Sequence, residues 1–141
     1  MSPEALEHYK QGLGHYGKQE FAEAIAAYGR ALELEPDWSD CLQALGMSQM
    51  NGGDLKAALE TLTRVTELAP EDPLAFTSLS MCLQRMERIE DAEKAQAQAR
   101  LLSWKQELKT NPGAPPPEPF VPGTPGGAEG GGGPAGPNVI Q

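Results

Sequence analysis

A chain of 141 residues, 39% of them hydrophobic, has room for one small core and an appendage. Its 20 acidic and 11 basic side chains give a formal net charge of −9, which disfavours nucleic-acid phosphates and anionic membrane surfaces as main partners. No run approaches the roughly 20 apolar residues that a bilayer crossing needs, and the start Met1-Ser2-Pro3-Glu4 lacks the basic and apolar stretches of a secretory leader, so a cytoplasmic location is expected.

Taken in chain order, the pattern predicts helices throughout the first three quarters. Ser2 suits an N-cap, with Pro3 in the first turn and Glu4 near the positive helix end. That helix is expected to loosen around Gly14 and Gly17. A second helix is predicted from about Glu20 to Leu34; Pro36 stops it and Asp37 starts the next. Asn51-Gly52-Gly53-Asp54 predicts a turn, with Asp54 as N-cap of a fourth helix. Pro70 and Pro73 bracket the following junction. The last pair of helices is predicted from about Asp72 to Lys109. It runs long because Trp104 stands where the earlier units have Pro36 and Pro70.

These elements repeat. Ala24, Ala58 and Ala92 are 34 residues apart, as are Pro36 and Pro70. Gly12, Gly46 and Ser80 keep the same register, and so do Phe21, Leu55 and Ile89. Small residues let two helices approach, so Gly12 is expected against Ala24 and Gly46 against Ala58. Tyr28, Leu42, Leu45, Leu62, Phe76 and Leu79 would fill the spaces between. One helix pair cannot bury its apolar face alone, and about three stacked pairs can.

The 34-residue period, the Gly and Ala placement and the closing Pro resemble the tetratricopeptide-repeat family over residues 2–110. The resemblance implies an all-α, right-handed superhelical stack of three helix-turn-helix units, at about 5–38, 39–72 and 73–106. It implies protein binding in place of catalysis. There are departures: His8 and His15 stand where the family often has Trp and Tyr, and Gln96 replaces a large apolar residue. Leu101, Leu102, Trp104 and Leu108 are expected to cap the open end. From Asn111 the composition turns to Pro and Gly, so residues 111–141 are expected to form a disordered tail.

Chemistry finds little footing. His8 and His15, seven apart on one helix face, are too distant to share a metal without further ligands. Cys41 and Cys82 have no CxxC spacing and read as small buried side chains in a reducing compartment. There is no phosphate-binding loop, dinucleotide fingerprint or HExxH. Acidic pairs such as Glu71-Asp72 and Glu90-Asp91 fit helix starts without an acid–base role. No enzyme, cofactor or metal site is expected.

Binding has a better candidate. The first helix of each unit lines the concave face of such a stack. There the sequence places Leu6, Tyr9, Leu13 and Tyr16, then Gln43, Met47 and Met50, then Thr77, Met81 and Gln84. Asp40, Asn51, Arg85 and Arg88 flank them. This groove is apolar and methionine-rich, suited to an extended peptide or one apolar helix face of a partner protein. Family members that hold the acidic C-terminus of heat-shock chaperones use Lys, Asn and Arg. The matching positions here are Tyr9, Leu13, Ala44, Leu74 and Ser78, none able to hold a carboxylate by charge. Three uses remain: an adaptor, scaffold or co-chaperone that uses the groove; a self-assembling homo-oligomer that pairs through Leu102 and Trp104; or an adaptor plugged by its own Phe120, Val121 or Val139-Ile140.

Overall fold

The computed structural model describes residues 1–117. Among them are six helices and no strand: α1 Pro3–Gly17, α2 Phe21–Leu34, α3 Ser39–Asn51, α4 Leu55–Leu68, α5 Pro73–Arg85 and α6 Ile89–Leu108. They pair as α1–α2, α3–α4 and α5–α6 and stack in order through α2–α3 and α4–α5. The result is the helical solenoid of three stacked pairs that the family resemblance implied.

Side-chain caps open α1, α4 and α5. Ser2 Oγ accepts from Ala5 N, Asp54 Oδ1 from Ala57 N and Asp72 Oδ1 from Leu74 N, each satisfying a helix-start donor. Asp37 does not open α3, which starts at Ser39; its carboxylate pairs with Arg64 on α4 instead. Gly14 and Gly17 do not loosen α1, which is helical through both.

The turn inside each unit is the same structure three times. Gln19, Gly53 and Glu87 lie 34 apart, and all have positive φ, at 62°, 98° and 62°. In each, the next residue's N–H bonds back to a carbonyl five residues earlier: Glu20 to His15, Asp54 to Gln49 and Arg88 to Leu83, all at 2.9 Å. This left-handed exit satisfies carbonyls that a helix end leaves open. Only the second unit supplies the glycine that the conformation favours.

Packing within a unit depends on two glycines. A Cβ on Gly12 would lie 2.4 Å from Tyr28 Cε1, and one on Gly46 would lie 2.5 Å from Leu62 Cδ2. The nearest neighbour of each glycine is therefore the large residue one turn after the repeat alanine. Ser80, their counterpart in the third unit, donates its hydroxyl to the Ala92 carbonyl at 3.0 Å. Tyr28 and Leu62 are fully buried. Between units, Ala31 packs with Cys41 of α3, and Val65 with Ala75 of α5. Cys41 and Cys82 are buried free thiols that donate to the Tyr28 and Leu55 carbonyls.

The open end closes differently from either internal junction. α6 runs to Leu108, where the other second helices end before a proline. The chain then turns on bonds from Thr110 and Asn111 to the Glu107 carbonyl, and Ala114 N bonds to Asn111 O. Trp104 Nε1 donates to the Ala114 carbonyl at 3.0 Å, and Ala114 is buried. Ala114 thus packs against α6 within the tail expected to be disordered over 111–141, most of which, 118–141, lies outside the described residues. Leu102 is buried, and Leu101, Trp104 and Leu108 are half-buried around it.

Candidate functional site

The first helices α1, α3 and α5 lie side by side, with α3 touching both of the others. The stripe read from the sequence divides on this surface. Leu6, Leu13 and Met81 are 38%, 44% and 36% exposed. Leu74, at the start of α5, is 55% exposed. Met47, Gln43 and Thr77 are half-buried between them, and Gln84 is exposed. Met50 is a correction: it is 2% exposed and packs with Ala58, Leu62 and Cys82, so it belongs to the core. At one residue per 100° of helix turn, position 50 sits where the stripe turns under toward α4.

The two tyrosines are walls rooted in the core. The Tyr9 ring lies 4.6 Å from Trp38 and 5.9 Å from Tyr28, distances typical of aromatic pairs. Burial, then the Asp40 carboxylate, raises the Tyr9 phenol above its ordinary value. The Tyr16 ring meets Phe21 edge-on at 5.7 Å.

A polar row crosses the three helices at one end of the face. Asn51 Nδ2 donates to the Tyr16 hydroxyl at 2.9 Å, and Arg85 Nη1 donates to Asn51 Oδ1 at 3.1 Å. The same Arg85 nitrogen reaches the Met50 carbonyl at 3.5 Å, neutralising the negative end of α3. Nearer the middle, Gln43 Nε2 donates to Ser78 Oγ. These partners are 34 or 35 residues apart, the repeat period plus at most one residue, so a search for polar side chains recurring at that spacing would have found them. Flanking positions were named, but the row itself was missed. Arg88 is occupied by Asp91 instead of the face.

Nothing here resembles a catalytic centre. His15 Nδ1 is bound to Glu20 at 2.7 Å and His8 to Gln11, both half-buried at the edge of α1. Among the described residues no three His, Cys, Asp or Glu side chains gather to hold a metal, and no helix is long and apolar enough to cross a membrane. The thiol of Cys41 is pushed up to about 12 by burial, which leaves it a poor nucleophile.

Comparison with known proteins agrees with this architecture. Residues 15–82 match the model of the tetratricopeptide repeat. The photosystem I assembly protein Ycf3 of Synechococcus sp. (strain CC9902) is 29% identical over 122 residues, covering 79% of this chain and 70% of that protein. The structure of MamA superposes with a TM-score of 0.70 at 22% identity, over 73% of this chain; the match spans 60% of MamA. The type III secretion chaperone SycD of Yersinia enterocolitica, solved with a peptide of the translocator YopD, gives a TM-score of 0.70 at 18% identity, covering 78% of this chain and 85% of SycD. With the repeated αL turns, the glycine contacts and the stacked pairs, these likenesses show the stacked-pair fold of tetratricopeptide repeats, and the chain is similar to that family over residues 15–82.

Proposed function

We propose that the chain is an adaptor, scaffold or co-chaperone that holds an extended peptide or one helix face of a partner on its concave surface. The reading rests on Leu6, Leu13, Leu74 and Met81, exposed large apolar side chains on the first helices of the units; Leu34, Leu68 and Ile89 are similarly exposed on the second helices. Removing such side chains from water favours association at about 25 cal/mol per Å² of apolar surface, before the costs of ordering. The Tyr16–Asn51–Arg85 row would supply directional contacts at one end. That SycD was solved with a peptide of YopD, and that Ycf3 is named for assembly of photosystem I, fits a chain that handles other proteins during assembly. A cytoplasmic location forms part of the proposal and is open to fractionation.

The test is affinity capture by the full chain, compared with the double variant Leu13→Glu and Met81→Glu. Both positions are exposed, so the variant should keep its helical circular dichroism. Loss of the captured protein with fold retained supports the groove. Equal capture by both baits moves the binding site elsewhere.

Self-assembly through the terminal helix is the weaker reading. Leu102 is buried and the Trp104 indole is bound to the chain's own Ala114, so pairing there would first have to displace that segment. A molecular mass that rises with concentration would reinstate it.

A further inference from the structure

The open end of the stack carries a second, separate surface. In the first two units, Ala31 and Val65 hold the helix that follows. Their counterpart in the third unit is Ala99, again 34 residues on. No seventh helix follows it among the described residues. Instead a cleft of about 290 Å³ opens there, floored by Ala99 and Trp104, with Arg100 and Thr77 at its sides and Pro115 and Pro117 forming a wall.

The chemistry of that wall is specific. Ala114 precedes three consecutive prolines. Proline has no N–H and fixes φ, so such a run is extended and presents carbonyls that nothing in the run itself can satisfy. An indole N–H beside an apolar floor matches this: the ring packs against the pyrrolidines and the N–H takes a carbonyl. Trp104 makes that bond to Ala114. The two earlier units have Pro36 and Pro70 at this position, and neither can donate. The seat is also more polar than the internal ones. Gln96 and Arg100 stand where Tyr28 and Leu32, or Leu62 and Thr66, line the junctions that hold a helix.

We propose that the end of α6 is a binding site for extended proline-rich segments. The chain's own residues 114–117 are its resident ligand, and a proline-rich stretch supplied in trans displaces them. This surface is independent of the concave groove. A ligand tethered ten residues from its receptor has an effective concentration of about the millimolar range, so a partner's segment must outcompete it.

The test uses the full chain and a synthetic peptide copying residues 114–119, Ala-Pro-Pro-Pro-Glu-Pro, with blocked ends. The readout is the Trp104 indole ¹⁵N–¹H resonance, assigned by its absence in Trp104→Phe. A saturable shift is expected, at about tenfold lower peptide concentration in the double variant Pro115→Gly and Pro117→Gly, where the resident ligand is weakened. A peptide with glycine for every proline should give no shift. The proposal is overturned if the double variant shows no saturable shift, leaving the segment a fixed cap. It is equally overturned if the glycine peptide binds as well as the proline one.

Discussion

Substituting Gly12 with alanine isolates the contact that closes the first unit. The new methyl would lie 2.4, 2.6 and 2.9 Å from three atoms of the Tyr28 ring. The ring is fully buried and flanked by Tyr9 at 5.9 Å, so it cannot swing aside as the end of a flexible chain would. Overpacking of this kind costs about 1–3 kcal/mol, and a rigid aromatic neighbour argues for the upper part of that range. Helix propensity works in the other direction, because alanine is better than glycine by about 1 kcal/mol inside a helix. The expected net loss is therefore about 1–2 kcal/mol. Gly14 is the control: it is in the same helix, but a methyl there meets nothing within 4 Å. Gly14→Ala should gain about 0.5–1 kcal/mol from propensity alone. Urea unfolding at unchanged m-value measures both variants. If Gly12→Ala is as stable as Gly14→Ala, the close approach of α1 to α2 is not what the glycine provides.

Three further outcomes follow from the same coordinates. Met50→Ala should cost about 2–4 kcal/mol because the side chain is core, while Met81→Ala, on the exposed face, should stay within about 0.5 kcal/mol; similar urea midpoints for the two would undo that division of the stripe. Gly53→Ala should lower stability by about 1 kcal/mol at its φ of 98°, whereas Gln19→Gly and Glu87→Gly at the equivalent turns should not lower it, as thermal unfolding will show. Stability should also fall above pH 9: burial holds Cys41 and Tyr28 at about 12 against ordinary values of 9.0 and 10.0, so the unfolded chain releases those protons first. A urea midpoint at pH 10.5 no lower than at pH 7.5 would contradict this.

The fold was legible because a repeat states the same physical requirement several times. One alanine or one proline says little, but Ala24, Ala58 and Ala92 at a single period fix which residues face the neighbouring helix. What the period did not give was the direction in which side chains lean. Helical side chains point back toward the N-terminus, so the atoms nearest Gly12 belong to the Tyr28 ring. The same geometry moved Met50 from the groove to the core. The first and third inner turns were hidden for another reason. Gln19 and Glu87 adopt the conformation that only Gly53 advertises, because the stacking of the helices on either side imposes it whatever the residue's own preference. At the tail, Pro112-Gly113 signals a turn, but the bond from Trp104 to Ala114 depends on where α6 ends, and no local pattern encodes that.

Function was less legible than fold, and the substitutions at the two ends of the stack suggest why. Where α3 and α5 present Leu42, Leu45, Phe76 and Leu79 to the preceding unit, α1 has His8 and Gln11 at the same register. Where α2 and α4 present Tyr28 and Leu62, α6 has Gln96. Polar residues at these positions weaken the apolar drive for a helix to pack there. The concave face received no such treatment. Leu6, Leu13, Leu74 and Met81 remain open to water on helices whose other faces follow the packing rule. The exposed apolar side chains of this face are what the proposed binding role rests on. The side chains of this face that differ between the units, Gln43, Thr77 and the Tyr16–Asn51–Arg85 row, are the positions on which repetition carries no information.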